Sequence, residues 1–223
     1  MIVIIGSIFG LMVGAKTYIE NAQVQKVIKK LHKFETSRVA FKQKYNCTPG
    51  DCLTASTYDL GTNGDGDGYV TDRRPTKGSR FLGEIANYWL HLSAARLLGE
   101  ELLTNNIPPV GISDAYFTVT YENSSTDTGN KYALGATMQS PQTINRKMYP
   151  WMVFSIDEKI DDGMPTTGIM KAYTQITINA TGILSYGFAM ANNCAPLTVN
   201  PVVYNIDAGT SECIAMVKFK QFN

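Results

Sequence analysis

Histidine is scarce: His32 and His91 are the only two among 223 residues. There is no G-x-S-x-G elbow in the chain, and two histidines give nucleophilic catalysis few choices of base. His32 sits in a lysine-rich stretch and is read as exposed. His91, in "YWLHLSAA", is read as a hydrogen-bonded, half-buried side chain rather than a general base. No Walker loop or G-x-G-x-x-G occurs, and the one glycine-rich stretch, "NGDGDG", carries carboxylates that would repel phosphate. Charged residues make up only 17% and the net charge is +1, so nothing polyelectrolytic points to nucleic acid. No enzyme class is indicated.

Long apolar runs are also missing, with one short exception at the start. "MIVIIGSIFGLMVGA" places fifteen uncharged residues before Lys16. As a helix they reach about 22 Å at ~1.5 Å per residue. A bilayer core is roughly 30 Å thick and usually takes about 20 residues. A cleaved secretory signal, a buried core helix and the inner part of a longer anchor all suit such a run. A signal would have a basic segment ahead of it, and none precedes the run.

The helical pattern does not stop at Lys16. "TYIENAQVQKVIKKLHKFETSRVAFKQKYN" has no Gly or Pro. Val24, Val27, Ile28, Leu31, Phe34, Phe41 and Tyr45 recur at three-, four- or seven-residue steps and make one apolar face. Lys26, Lys29, Lys30, Lys33, Arg38, Lys42 and Lys44 occupy much of the rest, as a solvated face or one suited to anionic headgroups. Pro49 and Gly50 place the end near Asn46. Residues 1–16 therefore read as the apolar start of one long helix, 17–46 as its amphipathic continuation, and 47–223 as an α/β head.

Four cysteines form two local pairs, Cys47 with Cys52 in "CTPGDC" and Cys194 with Cys213 near the C-terminus. Zinc would want CxxC-like spacing or nearby histidines. Two disulfides, and hence an oxidising compartment, are the reading. A second amphipathic helix is predicted over roughly 79–103 from Phe81, Leu82, Ile85, Trp89, Leu92, Leu97 and Leu98. "AYFTVTY", "KYALGATM", "QITINAT", "ILSYGFAM" and "IAMVKFK" read as strands. "WMVFSIDEKIDDG" reads as a short helix ending at Gly163. The fold class is α+β, a long N-terminal helix and a second helix on a mainly antiparallel sheet.

Two acidic stretches draw notice. Asn63, Asp65, Asp67 and Gly68 match positions 1, 3, 5 and 6 of a D-x-[DN]-x-[DN]-G calcium loop, and Tyr69 offers a carbonyl. Position 12 is Arg74 instead of a bidentate glutamate, so Asp72 or Glu84 would have to complete a calcium site; an Asx/Gly turn without metal is the alternative. Asp157 and Asp161 fall on one helix face with Lys159 nearly opposite. They read as a solvated helix end, with Asp162 bracing a turn.

Taken together, the N-terminal helix, "PGD", "NGDGDG", "WLHLSAARLLG" and "IDEKIDDGMPTTG" resemble one family, the type IV pilin-like proteins, including the pseudopilins of type II secretion. The Cys194/Cys213 pair looks like the C-terminal disulfide loop of many pilins. The resemblance implies a non-enzymatic filament subunit that needs no cofactor. Its helix sits in the inner membrane with the head in the periplasm, then packs among other pilin or pseudopilin subunits at an assembly platform. Gly6, Gly10 and Gly14 would allow close helix approach, and Val24, Ile28 and Leu31 would continue the assembly face. Met1 matches a position inside the family's anchor; the leader, cleavage site and following glutamate have no counterpart. An exported, membrane-anchored calcium-dependent binding module is the alternative.

Overall fold

The structure, a computed structural model, describes residues 2–71, 83–99, 116–123, 127–140, 143–146, 148–173, 176–178, 184–185, 194–196, 201–210 and 213–219. Within the first helix, side chains are described from Thr17 onward. The chain is α+β. Helix α1 runs Ile2–Tyr45 without a break for 44 residues, as the absence of proline and the low glycine content past Gly14 predict. Asn46, at φ 55°, ends it in the left-handed region, and its N–H bonds back to the Lys42 carbonyl.

Two more helices follow: α2 (Glu84–Ala94) and α3 (Pro150–Ile160), which opens on a proline in its first turn. The strands are β1 (Tyr116–Asn123), β2 (Thr128–Ser140), β3 (Thr143–Arg146), β4 (Met170–Tyr173), β5 (Ile176–Ile178), β6 (Leu184–Ser185) and β7 (Ile214–Lys218). All pair antiparallel in one sheet ordered β4-β7-β2-β3-β5-β6, with β1 also on β2. The β1–β2 register slips at Tyr116/Phe117, opposite Gly135 at φ +85°. A Cβ there would lie 2.5 Å from Met148 Cγ, so both the bulge and the packing require glycine.

Register fixes what each sheet face meets. Phe117, Val119, Tyr132, Leu134, Ala215 and Val217 belong to the apolar core with α1 and α2. Phe34 of α1 is its hub, edge-on to Trp89 of α2 and Phe117 of β1, with centroids 5.0 and 5.1 Å away. Alternation turns Thr118, Thr120, Glu122, Lys131 and Met216 to the other face. They are buried there as well.

Several expectations need correction. Helix α2 stops at Ala94, because Arg96 adopts a left-handed φ of 58° and the Leu97 N–H returns to the Leu92 carbonyl. Leu98 is buried from a turn, not from a helical face. The start expected at 79 lies outside the described residues. Helix α3 ends at Ile160, three residues before Gly163. Strands β3 and β4 were not foreseen. Arg38 is not on the solvated basic face: it is buried and forms a two-pronged pair with Glu35, at 2.7 and 3.0 Å.

Candidate functional site

Two places carry the residues that sequence reasoning singled out. The first is α1. Val24, Val27, Leu31, Phe34 and Phe41 are buried in the core, and Ile28 packs partly against it. Val24, Ile28 and Leu31 thus dock the helix on its own head. Polar groups fix the docking: Glu35 accepts from Tyr132 Oη at 3.1 Å, and the Tyr132 and Tyr88 hydroxyls lie 2.9 Å apart. Toward the N-terminus exposure rises. Tyr18 is 77% exposed and Ile19 56%, and α1 continues to Ile2, roughly 33 Å beyond Val24 at ~1.5 Å per residue. Gly6, Gly10 and Gly14 lie in this stretch, where side chains are outside the description. Among the described residues no helix is long and apolar enough to cross a membrane.

The second place is the segment between α1 and α2. Disulfide Cys47–Cys52 closes its start. His91 of α2 is fully buried and pins the segment twice, accepting from Gly50 N at Nδ1 (2.9 Å) and meeting the Thr62 carbonyl at Nε2 (2.8 Å). Those partners require the neutral ring protonated at Nε2, and burial lowers its pKa in keeping. His91 is thus a structural peg, more buried than the sequence suggested. Gly64 lies so close to the backbone of Asp51 that a Cβ would stand 2.5 Å from it. That contact folds the glycine-rich stretch back over the Pro-Gly-Asp turn.

The result is a cluster. Asp51, Asp65, Asp67 and Glu84 each bring a carboxylate oxygen within 4.8 Å of the others. Asp51 and Glu84 are buried. Glu84, in the first turn of α2, accepts from Asp65 N (2.9 Å) and Thr71 N (3.0 Å). Asp51 Oδ2 accepts from Gly68 N at 2.9 Å, but its Oδ1 has no hydrogen-bond partner among the described residues. Burial pushes Glu84 up to about 7 and raises Asp51, with neighbouring carboxylates adding to both shifts.

The four are not the set predicted from spacing. Asp65 and Asp67 join it. Asn63 instead turns its Oδ1 to Ser56 N at 2.7 Å and braces a short turn. Tyr69 donates its N–H to Asp67 Oδ1 and lays its ring 4.1 Å from Tyr121. Asp72 and Arg74 lie outside the described residues. Asp51 was missed; its signal was an acid in a Pro-Gly turn held by a disulfide.

Asp157, Asp161 and Asp162 form a second group. Asp157 is fully buried, not part of a solvated helix end, and accepts from Tyr204 Oη at 2.6 Å. Its Oδ1 is also unpartnered among the described residues. Asp161 Oδ2 takes Met170 N, while Asp162 takes Met164 N and Thr167 Oγ1, so Asp162 does brace the turn. Disulfide Cys194–Cys213 joins the 194–196 segment to the start of β7.

Compared with protein-family profiles, curated proteins and solved structures, the chain finds no match in any of the three.

Proposed function

We propose that this chain is a structural subunit of a pilin-like filament, a type IV pilus or a type II secretion pseudopilus, with no catalytic role. The observation that supports it is the division of labour along α1. One continuous helix is built into the head from Val24 to Phe41 and runs on as an apolar rod with Tyr18 and Ile19 exposed. An apolar rod fixed to a head that has its own core needs lipid or other helices around it. In this reading the rod holds the subunit in the inner membrane, head in the periplasm, and exchanges lipid for neighbouring rods on assembly. The two disulfides suit that oxidising side.

The test uses the full chain expressed in a bacterium beside a variant lacking residues 1–16. The full chain should stay in alkali-washed membranes, and the shortened one should be soluble and folded. Ile19→Cys should form covalent dimers between neighbouring copies on oxidation. Full chain in the soluble fraction, or Ile19→Cys that stays monomeric in the membrane, overturns the proposal. An anchored calcium-dependent binding module remains the second reading, supported by the carboxylate cluster on the head.

A further inference from the structure

We propose that His91 makes the disulfide-closed turn at 47–52 an acid-releasable latch: protonating its ring frees that turn from α2, while the far end of the loop and the docking of α1 stay in place. The geometry at the ring carries this. His91 is fully buried, and both of its nitrogens are spent on backbone groups of one loop. Nδ1 accepts from Gly50 N at 2.9 Å, and Nε2 donates to the Thr62 carbonyl at 2.8 Å. An imidazolium donates from both nitrogens. A new N–H at Nδ1 would point at the Gly50 N–H, donor against donor, and take the acceptor from a buried amide. The Thr62 bond keeps its sense and gains from a charged donor. Asn87 Nδ2 reaches the same carbonyl at 3.4 Å. Acid therefore acts on one of the two pins and spares the other.

The turn lies directly on α2 at that pin. Gly50 has φ +84°, and a Cβ there would collide with the Glu84 carbonyl oxygen. The elements around the ring supply no compensating charge. Helix α1 presents Phe41, stacked at 6.1 Å and 9°, with Tyr45 on the far side of that ring and Lys42 and Lys44 exposed. In the turn, Asp51 accepts from Gly68 N; on α2, Glu84 accepts from Asp65 N and Thr71 N. Asp65 and Asp67 of the loop gather with those two. The influences on His91 are burial, which lowers its pKa, and the Thr62 carbonyl, which raises it to a lesser degree.

The sign follows from the lowered value. A base that is harder to protonate when folded contributes stability above its ordinary 6.5, and that contribution is lost as pH falls through the folded value. What is lost is local. The docking of α1 rests on Phe34 and on the Arg38–Glu35 pair, and neither involves a histidine. Cys47–Cys52 keeps the released turn closed on itself.

The test uses the full chain in detergent micelles, labelled with nitrogen-15 at histidine only. Two histidines give two sets of ring signals, and exposed His32 serves as the internal reference. At pH 7 His91 should show the neutral form protonated at Nε2, and it should titrate below His32. Over the same pH span, hydrogen exchange read by mass spectrometry and corrected for the intrinsic rate should quicken about tenfold or more at 47–52. Segments 25–41 and 53–64 should hold their protection. His91→Gln keeps an acceptor and a donor but takes no proton, so the folded variant should keep the turn protected throughout. A His91 ring that titrates together with His32 overturns the latch. So does turn exchange that stays flat through the His91 titration, or a turn that opens only together with 25–41. A folded His91→Gln that opens at the same pH as the parent overturns it as well. Should that variant not fold, the ring titration and the exchange of the parent decide.

Discussion

Two regions of the head bury carboxylates, and they do so in opposite ways. On the far face of the sheet, Lys131 is 1% exposed and its ammonium reaches both Glu122 and Asp127. Lys171 and Lys218 close on Asp127 as well, at 3.1 and 3.2 Å. Burial alone would raise Asp127, yet Lys131 and Lys171 hold it at about 2. In the loop region burial shifts Asp51 and Glu84 upward against backbone N–H bonds, and the charged neighbours that add to the shift are acids. One region is neutralised by strands that arrive from β1, β2, β4 and β7. The other gathers charge of one sign and meets it with backbone N–H groups. The first closes its charge with side chains from several strands; the second relies on backbone N–H groups and on burial.

The sharpest way to break that comparison is Lys131→Met. It takes the buried ammonium from Glu122 and leaves Asp127 to Lys171 and Lys218, and loss of one partner from a buried ion pair costs about 3–5 kcal/mol. Denaturant unfolding should record a drop of that size; a change under 1 kcal/mol would mean the network is solvated and the contrast false. Next come the disulfides that staple each region. Cys194–Cys213 spans 19 positions and Cys47–Cys52 only 5. Loop closure assigns about 3 kcal/mol to the first and about 2 to the second. Cys194→Ser should therefore lower the denaturation midpoint more than Cys47→Ser, and the reverse order would place more of the stability in the loop region.

The two regions also differ in how much of them could be read in advance. Local signals did well. Uninterrupted apolar spacing gave α1 and its docking face, and cysteine proximity gave both disulfides. Asp65 and Asp67 stood out because glycines alternate with them: Gly68 at φ +90° adopts a conformation that favours glycine, and Gly64 against Asp51 leaves no room for a Cβ. What failed was distance. Lys131 meets Lys218 across β2 and β7, and nothing near either residue in sequence announces it. Asp51 joins Glu84 across 33 positions because a histidine and a close glycine contact fold the loop back. Arg38 looked like one more basic residue on a helix until Glu35, three positions earlier, and the Phe219 ring were placed beside it.

A smaller effect tests the second acidic group. Asp157 faces Tyr204, Asp161, Asp162 and the Gly163 N–H, and burial pushes it up to about 6, against its hydrogen bond from Tyr204. A carboxyl raised in the folded state contributes stability below its ordinary range near 3.8, and that contribution is lost as pH rises through about 6. The loss is on the order of 2 kcal/mol. Asp157→Asn keeps an acceptor for Tyr204 and should flatten stability between about pH 4 and 6, leaving the variant at least as stable as the parent at pH 7. Asp127 works with the opposite sign, its contribution being lost only as pH falls from 3.8 toward about 2. An unchanged profile in Asp157→Asn would assign the neutral-side slope elsewhere.

The smallest expected change is the most telling. Asp51→Asn in calcium-free buffer removes one negative charge from a group whose neighbours Asp65 and Asp67 repel it. The amide oxygen still accepts from Gly68 N, and the new amide N–H groups can donate to the neighbouring carboxylates. Stability should stay within about 1 kcal/mol of the parent, or rise. That outcome opposes Lys131→Met, although both changes alter one charge on a buried side chain. A loss of several kcal/mol without metal would mean that Asp51 is held by a donor within the chain, and the loop would then be a closed network like the sheet's.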